Sequence, residues 1–527
     1  MYFDLFVVDI DLFVEDIDLI DSYFPFLSSW PRSLFSLHLT SNKTFIFPFI
    51  QLVAGTQGRV NEVVRYSLDI LRDLGVSLPA EPDMTSVRDC YKKVESKLNV
   101  QTDNANFARQ LQSRKAKDPH KIAAMRVLTM LSRYAFISNQ LLGMMSTLTG
   151  ITICLDSGTT KDSALFFAML GSTAVILDDY DKGYKFGKVA LAMLRESNDK
   201  TMLPRVYMIV HGLVNIFVDP LQAGLEQLKY GYKIGLSVGD TESAFTNIWL
   251  YVVSALICGR PLVGLSEEIT SYLIGMKAYK NHMQHLLLPY GQSVLNLIGN
   301  TVPDSIGEAG TETDKDSPYI LKGALMDESI ILNRPLTPRS IKVVEAIYNL
   351  KAVIAYLFRQ YDVAARCTEK AVGVTSGRSF SPVTQVFYSF YRGLIAIEMC
   401  RVEPTQAEKW KAIFETEADK MKKWSNTASW NCEHKHLLFM AEASYLAGDR
   451  DAAKITYEDS IRLASDHGFI CDQALACERM GLFCAETSGA DVALPYFQRA
   501  LCLYQEFGAE AKVKHLLVSI GSGGFLG

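Results

Sequence analysis

From residue 51 onward the apolar positions recur with a helical period, and long amphipathic segments alternate with short Gly, Asp or Asn turns. Two stretches, 120–203 and 405–494, hold none of the 17 prolines. Gly and Asp therefore punctuate there, as expected of stacked helical hairpins. No Val/Ile/Thr-rich strand series with hairpin turns follows residue 50. The pattern predicts an all-α fold. Residues 1–20 differ, alternating loosely between apolar residues and Asp, and 21–50 mix aromatics with Pro25, Pro31 and Pro48 in an irregular texture.

Internal repetition points to an architecture. Gly448, Ala453, Tyr457 and Ser460 follow the tetratricopeptide second-helix spacing: a turn glycine, a small residue, an aromatic four later and a small residue three later. Forty residues on, Ala493, Phe497 and Ala500 repeat it after Ser488-Gly489. Ala364/Thr368/Ala371, Gly183/Gly187/Ala190 and Gly224/Leu228/Gly231 are weaker copies without the aromatic. Small residues let one hairpin approach the next, and the aromatic is expected to fill the gap between repeats. The expected fold is a TPR-like α-solenoid. Residues 301–318, acidic and rich in Gly, Ser and Thr, and the two prolines between Asn333 and Arg339 interrupt it. The expected organisation is an atypical segment at 1–49, repeats at 50–300, a linker at 301–340, repeats at 341–517 and a flexible tail at 518–527.

Length adds that 527 residues exceed one ordinary core and suit a repeat array. The net charge of −5 lies wholly in the first fifty residues, where seven acids face two bases (Arg32 and Lys43). The other 477 residues carry 51 charges of each sign, which gives no footprint for nucleic acid. The same fifty residues hold 12 of the 56 aromatics, so composition shifts near residue 50. Ten scattered cysteines without a C-x-x-C pair fit a reducing, cytoplasmic compartment. The amino terminus lacks the basic start of a secretory signal, and its acids interrupt any apolar span; Phe45–Val53 is too short to cross a bilayer. Asn42-Lys-Thr, an isolated glycosylation-type match, carries no weight without such a signal.

Candidate chemistry is sparse. Leu155-Asp156-Ser157-Gly158-Thr159 looks like an aspartic-protease D-S-G-T, but that chemistry needs two carboxylates sharing a proton on a β scaffold. The chain has no second D-[ST]-G, and the flanks are helical. The expectation is a helix end, with Gly158 as left-handed cap and Asp162 and Ser163 capping the next helix. Cys432, His434 and His436 form C-x-H-x-H, which invites zinc. On a helix only Cys432 and His436 share a face, because positions two apart diverge by about 200°. Asp9-x-Asp11 and Asp16-x-Asp18 lack the glycine and terminal Glu of a calcium loop. There is no Walker glycine loop and no kinase H-R-D, and Arg114-Lys-Ala-Lys117 reads as a solvated helix edge. No catalytic, cofactor or metal residue is assigned.

Five blocks resemble a known family. They are Ser67-Leu-Asp-Ile-Leu-Arg-Asp-Leu-Gly-Val-Ser-Leu-Pro79, Lys121-Ile-Ala-Ala-Met-Arg126, Tyr180–Gly187 with Ala190-Leu191, Tyr290–Leu297 and Phe507–Lys514. In order and spacing they resemble the helical-repeat region of multidomain signalling proteins. In that family a protein-kinase-like domain and an AAA/STAND-type ATPase precede the repeats, and a GAF, histidine-kinase or cyclase output domain often follows. The resemblance spans about residues 50–517, implies a helical-repeat fold and carries over no catalytic residue. It begins abruptly at Ile50–Gly55, so residues 1–49 are either an alternative start or a wrongly assigned first exon. The expected function is a non-catalytic scaffold for protein–protein contact or signal relay. A concave groove would receive a protein or peptide, without nucleic acid, membrane or cofactor. The alternatives are an enzyme using Asp156 or the Cys432–His436 cluster, and a fragment of a larger signalling ATPase or kinase.

Overall fold

The computed structural model describes residues 60–98, 104–197, 199–299, 317–337, 340–375 and 381–521. The expectations for 1–49, for 301–316 and for the last six residues lie outside these. Among the described residues the chain is all-α: 22 α-helices, short 3-10 and π segments, and no strand beyond two isolated bridges. In chain order the helices are α1 (Val60–Asp73), α2 (Met84–Lys97), α3 (Asn104–Ser113), α4 (Pro119–Ser138), α5 (Gln140–Ser157), α6 (Ser163–Ile176) and α7 (Tyr180–Ser197). Then come α8 (Leu203–Ile209), α9 (Leu225–Ser237), α10 (Thr241–Ile257), α11 (Leu262–Ala278), α12 (Met283–Ile298), α13 (Glu328–Leu332), α14 (Ile341–Leu357) and α15 (Tyr361–Thr375). The last seven are α16 (Pro382–Val402), α17 (Ala407–Thr427), α18 (Ser429–Leu446), α19 (Arg450–Asp466), α20 (Ile470–Thr487), α21 (Ala490–Phe507) and α22 (Glu510–Gly521). None of them is long and apolar enough to cross a membrane.

The Gly-Asp punctuation works through backbone geometry. Gly239 (φ +78°) and Gly448 (φ +82°) adopt the left-handed conformation that ends a helix cheaply only for glycine. The next residue caps the following helix: Asp240 accepts from Ser243 N (3.2 Å) and Asp449 from Ala452 N (3.1 Å).

Contacts divide the chain into two compact units. The first comprises the described residues within 60–91 and 116–153. Its α1 packs on α4 through Val63 and Tyr134, with Val64 and Met130 at the edge. Asp118 caps α4 by accepting from His120 N (2.8 Å), with Pro119 placed where no N–H is needed.

The second unit holds the described residues within 92–115 and 154–521. Consecutive helices pair: α6 with α7, α9 with α10, α11 with α12, α14 with α15, α16 with α17, α18 with α19, and α20 with α21. The repeat positions are core. Ala453, Tyr457 and Ser460 are buried on α19, Ala493, Phe497 and Ala500 on α21, and Ala364, Thr368 and Ala371 on α15. Tyr457 reaches Phe483 of the following hairpin (ring centroids 5.6 Å). Phe497 instead covers Gly481 within its own hairpin, where an added Cβ would sit 2.7 Å from the ring.

Two features go beyond nearest-neighbour stacking. Helices on both sides of residues 301–340 belong to this one unit, and α12 touches α14 and α22 while α10 touches α16. The described part of the interruption is tied down by α12 amides. Asn296 Nδ2 donates to Pro318 O (2.8 Å) and Ile320 O (2.7 Å), and Gln292 Oε1 accepts from Leu325 N (3.1 Å). At the carboxy end, α22 continues through Gly521.

Candidate functional site

Asp156 lies near the end of α5, half-exposed, with its carboxylate 3.0 Å from Lys97 Nζ. Gly158 follows with φ +101°, the left-handed cap the sequence called for. Ser163 Oγ accepts from Thr160 N (2.9 Å), whereas Asp162 sits at the N-cap position of α6 without a side-chain cap bond. The D-S-G-T segment is thus a helix end braced by one ion pair.

Cys432, His434 and His436 fall on α18. Cys432 is buried, and burial pushes its thiol up to about 12. His436 is half-buried, and burial lowers its pKa. His434 is fully buried and meets two charges: Nε2 lies 2.9 Å from Asp472 Oδ2 and 2.9 Å from Lys435 Nζ. Burial and the neighbouring Lys435 hold its pKa down to about 4, so the ring is neutral near pH 7. A neutral imidazole can satisfy only one of those contacts at a time. Lys435 also donates to Asp472 Oδ2 (2.6 Å) and Asn431 O (3.2 Å). Among the described residues no group of three or more His, Cys, Asp or Glu is placed to hold a metal.

Asp472 opens a run of buried charge along α20. Six residues on, Glu478 accepts from Arg359 Nη2 (2.9 Å) and Lys512 Nζ (2.8 Å), and Tyr504 donates to its second oxygen (2.9 Å). Next to it, Arg479 grips Glu442 of α18 with two bonds of 2.6 and 2.9 Å, contacts Glu398 of α16, and donates to Tyr361 (3.2 Å). Arg401 closes the set, reaching Glu442 Oε2 at 2.8 Å and contacting Glu398. Burial alone would raise the carboxyls of Asp472, Glu442 and Glu478. The cations facing them (Lys435 for the first, Arg479 and Arg401 for the second, Lys512 and Arg359 for the third) outweigh it and hold each at about 2. These groups bind helices to each other. Asp472 also lines a gap of about 30 Å³ whose other walls are mainly apolar side chains such as Leu256, Val353 and Phe387.

The roomier cavity, about 250 Å³, lies beside a helix irregularity. α8 runs without a break into a π turn (Val210–Val214) and a 3-10 turn (Asn215–Phe217). Gly212 in the π turn lets the Leu250 side chain of α10 pack against the backbone, where an added Cβ would collide with it. Single π turns inside helices recur at functional sites, since the extra residue re-aims side chains. Here His211 and Asn215 face the cavity together with Lys188 and Arg195 of α7, Tyr207 and Asp219. Asp219 accepts from Tyr184 OH (2.7 Å) and Asn215 Nδ2 (3.0 Å), with Lys188 Nζ at 3.4 Å. Burial lowers the pKa of His211 to about 4.

No local motif marks either place. The signal for the ion run was a lone charge inside an apolar stretch, as in Leu-Phe-Met-Ala-Glu442 and Ala-Leu-Ala-Cys-Glu478-Arg479. For the cavity it was His211, Asn215 and Asp219 spaced four apart within Val206–Pro220, otherwise almost entirely apolar. No protein-family profile and no curated protein matches this chain.

Proposed function

We propose that the chain is a non-catalytic, TPR-like α-solenoid that scaffolds protein–protein contact or relays a signal, as in the regulatory repeat regions of ATPase and sensor-kinase signalling proteins. The observation that carries this reading is what α20 does with its ionisable groups. Asp472, Glu478 and Arg479 pair with Lys435 and Glu442 of α18, Glu398 of α16, Tyr361 of α15, Arg359 in the turn between α14 and α15, Tyr504 of α21 and Lys512 of α22, which commits them to helix packing. Succession of helical hairpins with small residues at the repeat positions supports it further. Balanced charge over residues 51–527 favours a protein or peptide partner over nucleic acid. Cysteines scattered along the chain without a C-x-x-C pair fit a cytoplasmic setting.

The test has two arms. Purified chain should hydrolyse no ATP, and partners found by cross-linking in cells should bind the purified chain directly in calorimetry. Robust turnover abolished by a point substitution in this chain would overturn the proposal. So would the failure of every cross-linked candidate to bind once purified.

A further inference from the structure

Lys435, Asp472 and His434 bring an amine, a carboxyl group and a base into mutual contact. Nζ lies 2.6 Å from Asp472 Oδ2, and His434 Nε2 lies 2.9 Å from each of those atoms. Lys435 is 2% exposed and Asp472 6%, so bulk water scarcely reaches either. Phe469 and Phe390 flank the amine, with ring centroids 4.4 and 5.6 Å from Nζ. Helices α18 and α20 carry the two side chains, which are 37 residues apart in the chain.

The resting state is the ion pair. Transfer of one proton from Nζ to Oδ2 across their contact turns it into a neutral amine beside a neutral acid. Well-oriented groups held in contact reach effective molarities of about 10⁵–10⁸ M, enough to favour an amide where water is scarce. His434 is neutral near pH 7, so Nε2 can take a proton from an attacking nitrogen and return it to a leaving oxygen. Its Nδ1 has no hydrogen-bond partner to fix the ring in one tautomer. Asp472 also borders the gap of about 30 Å³, more than the roughly 10–15 Å³ that one water needs.

We infer that Lys435 and Asp472 condense into an intramolecular isopeptide bond, with His434 as the proton relay. After the first proton transfer Nζ attacks Cγ, so the Nζ–Cγ bond forms and the Cγ–Oδ2 bond breaks. His434 carries one proton from Nζ to Oδ2, which departs as water. The balance needs no other reactant: one ammonium and one carboxylate become one amide and one water. The remaining N–H has an acceptor at hand, since Asn431 O lies 3.2 Å from Nζ. The bond ties α18 to α20 and removes Asp472 from titration, and Glu442 and Glu478 still give those helices their acid response. This inference is independent of the proposed scaffold role, because the chain modifies only itself.

Mass spectrometry of the purified full chain, incubated at neutral pH, tests it. The intact mass should fall by one water, and tryptic mapping should recover a branched peptide joining Lys435 to Asp472. Cleavage after Lys435 should be lost in the same molecules, because its amine has become an amide. Lys435→Arg and Asp472→Ala should each abolish the branched peptide. His434→Phe keeps both partners and should slow its accumulation about a hundredfold or more. The parent chain decides the matter even where a variant fails to fold. Unjoined Lys435 and Asp472 peptides alone, after prolonged incubation of the parent, would overturn the inference. So would a water loss that maps to another position without the branch, or a branch that forms equally fast in His434→Phe.

Discussion

Two helix contacts in the second unit share the same amphipathic texture and are held in different ways. Between α6 and α7 the backbones nearly touch. A Cβ added to Gly171 would lie 2.8 Å from Gly183 O, and one added to Gly183 would lie 2.9 Å from Gly171 O. α6 has no titratable side chain at all. Between α18 and α20 the contact is ionic, with Glu442 on Arg479 and Lys435 on Asp472. Close apolar packing tolerates no added volume but is indifferent to pH. Buried ion pairs make the opposite trade. Their net stabilisation is modest, because desolvation offsets much of the attraction, yet a slip of one turn would strand every charge. The difference between the two regions is thus one of which perturbation each can survive.

The largest break should come from Arg479→Ala. It leaves Glu442 and Glu398 with Arg401 as their one remaining cation, and removing one partner of a buried ion cluster costs about 3–5 kcal/mol. A clear fall in the urea midpoint is expected, and a midpoint within error of the parent would deny the cluster its structural role. Next comes Gly183→Ala. The new methyl meets Gly171 O and Val175 Cγ2 (3.0 Å), so overpacking of about 1–3 kcal/mol should exceed the helix-propensity gain of roughly 1 kcal/mol. Gly373→Ala on α15 is its counterpart: nothing lies within 4 Å, and the same change should raise stability by about 0.5–1 kcal/mol. Matching signs at the two glycines would refute the close-approach argument. The smallest effect belongs to Arg366→Ala. Its 2.8 Å bridge to Asp362 has both side chains more than half exposed, and less than about 0.5 kcal/mol should be lost.

Much of the packed-glycine region was legible in the sequence. Gly183, Gly187 and Ala190 already marked a face built for close approach, and Ala453/Tyr457/Ser460 marked the core of a second helix. The ionic region was not, because its partners are distant in the chain. His434 meets Asp472 38 residues away, Glu398 meets Arg479 81 residues away, and Lys512 meets Leu357 O across 155 residues. Local spacing cannot announce such pairs. It offers only the anomaly of a charge where an apolar residue is due. The cavity was hidden for a related reason: His211, Asn215 and Asp219 are spaced four apart as on any helix, and local spacing does not announce that they meet Lys188 and Arg195 of α7. Asp156 and Cys432 drew attention by motif alone, and their surroundings assign them a surface ion pair and a core position.

Native-state hydrogen exchange at pH 7 and pH 3, corrected for intrinsic rates, tests the contrast most directly. In the folded chain Asp472, Glu442 and Glu478 titrate near 2 and His434 near 4, each below its ordinary value. The unfolded chain therefore binds more protons between about pH 6.5 and pH 2. Stability from these groups is present above that window and is lost as pH falls through it. Protection should drop in α18 and α20 at pH 3 while α6 and α7, with no ion pair between them, hold theirs. Equal loss in both regions, or earlier loss in α6 and α7, would contradict the account.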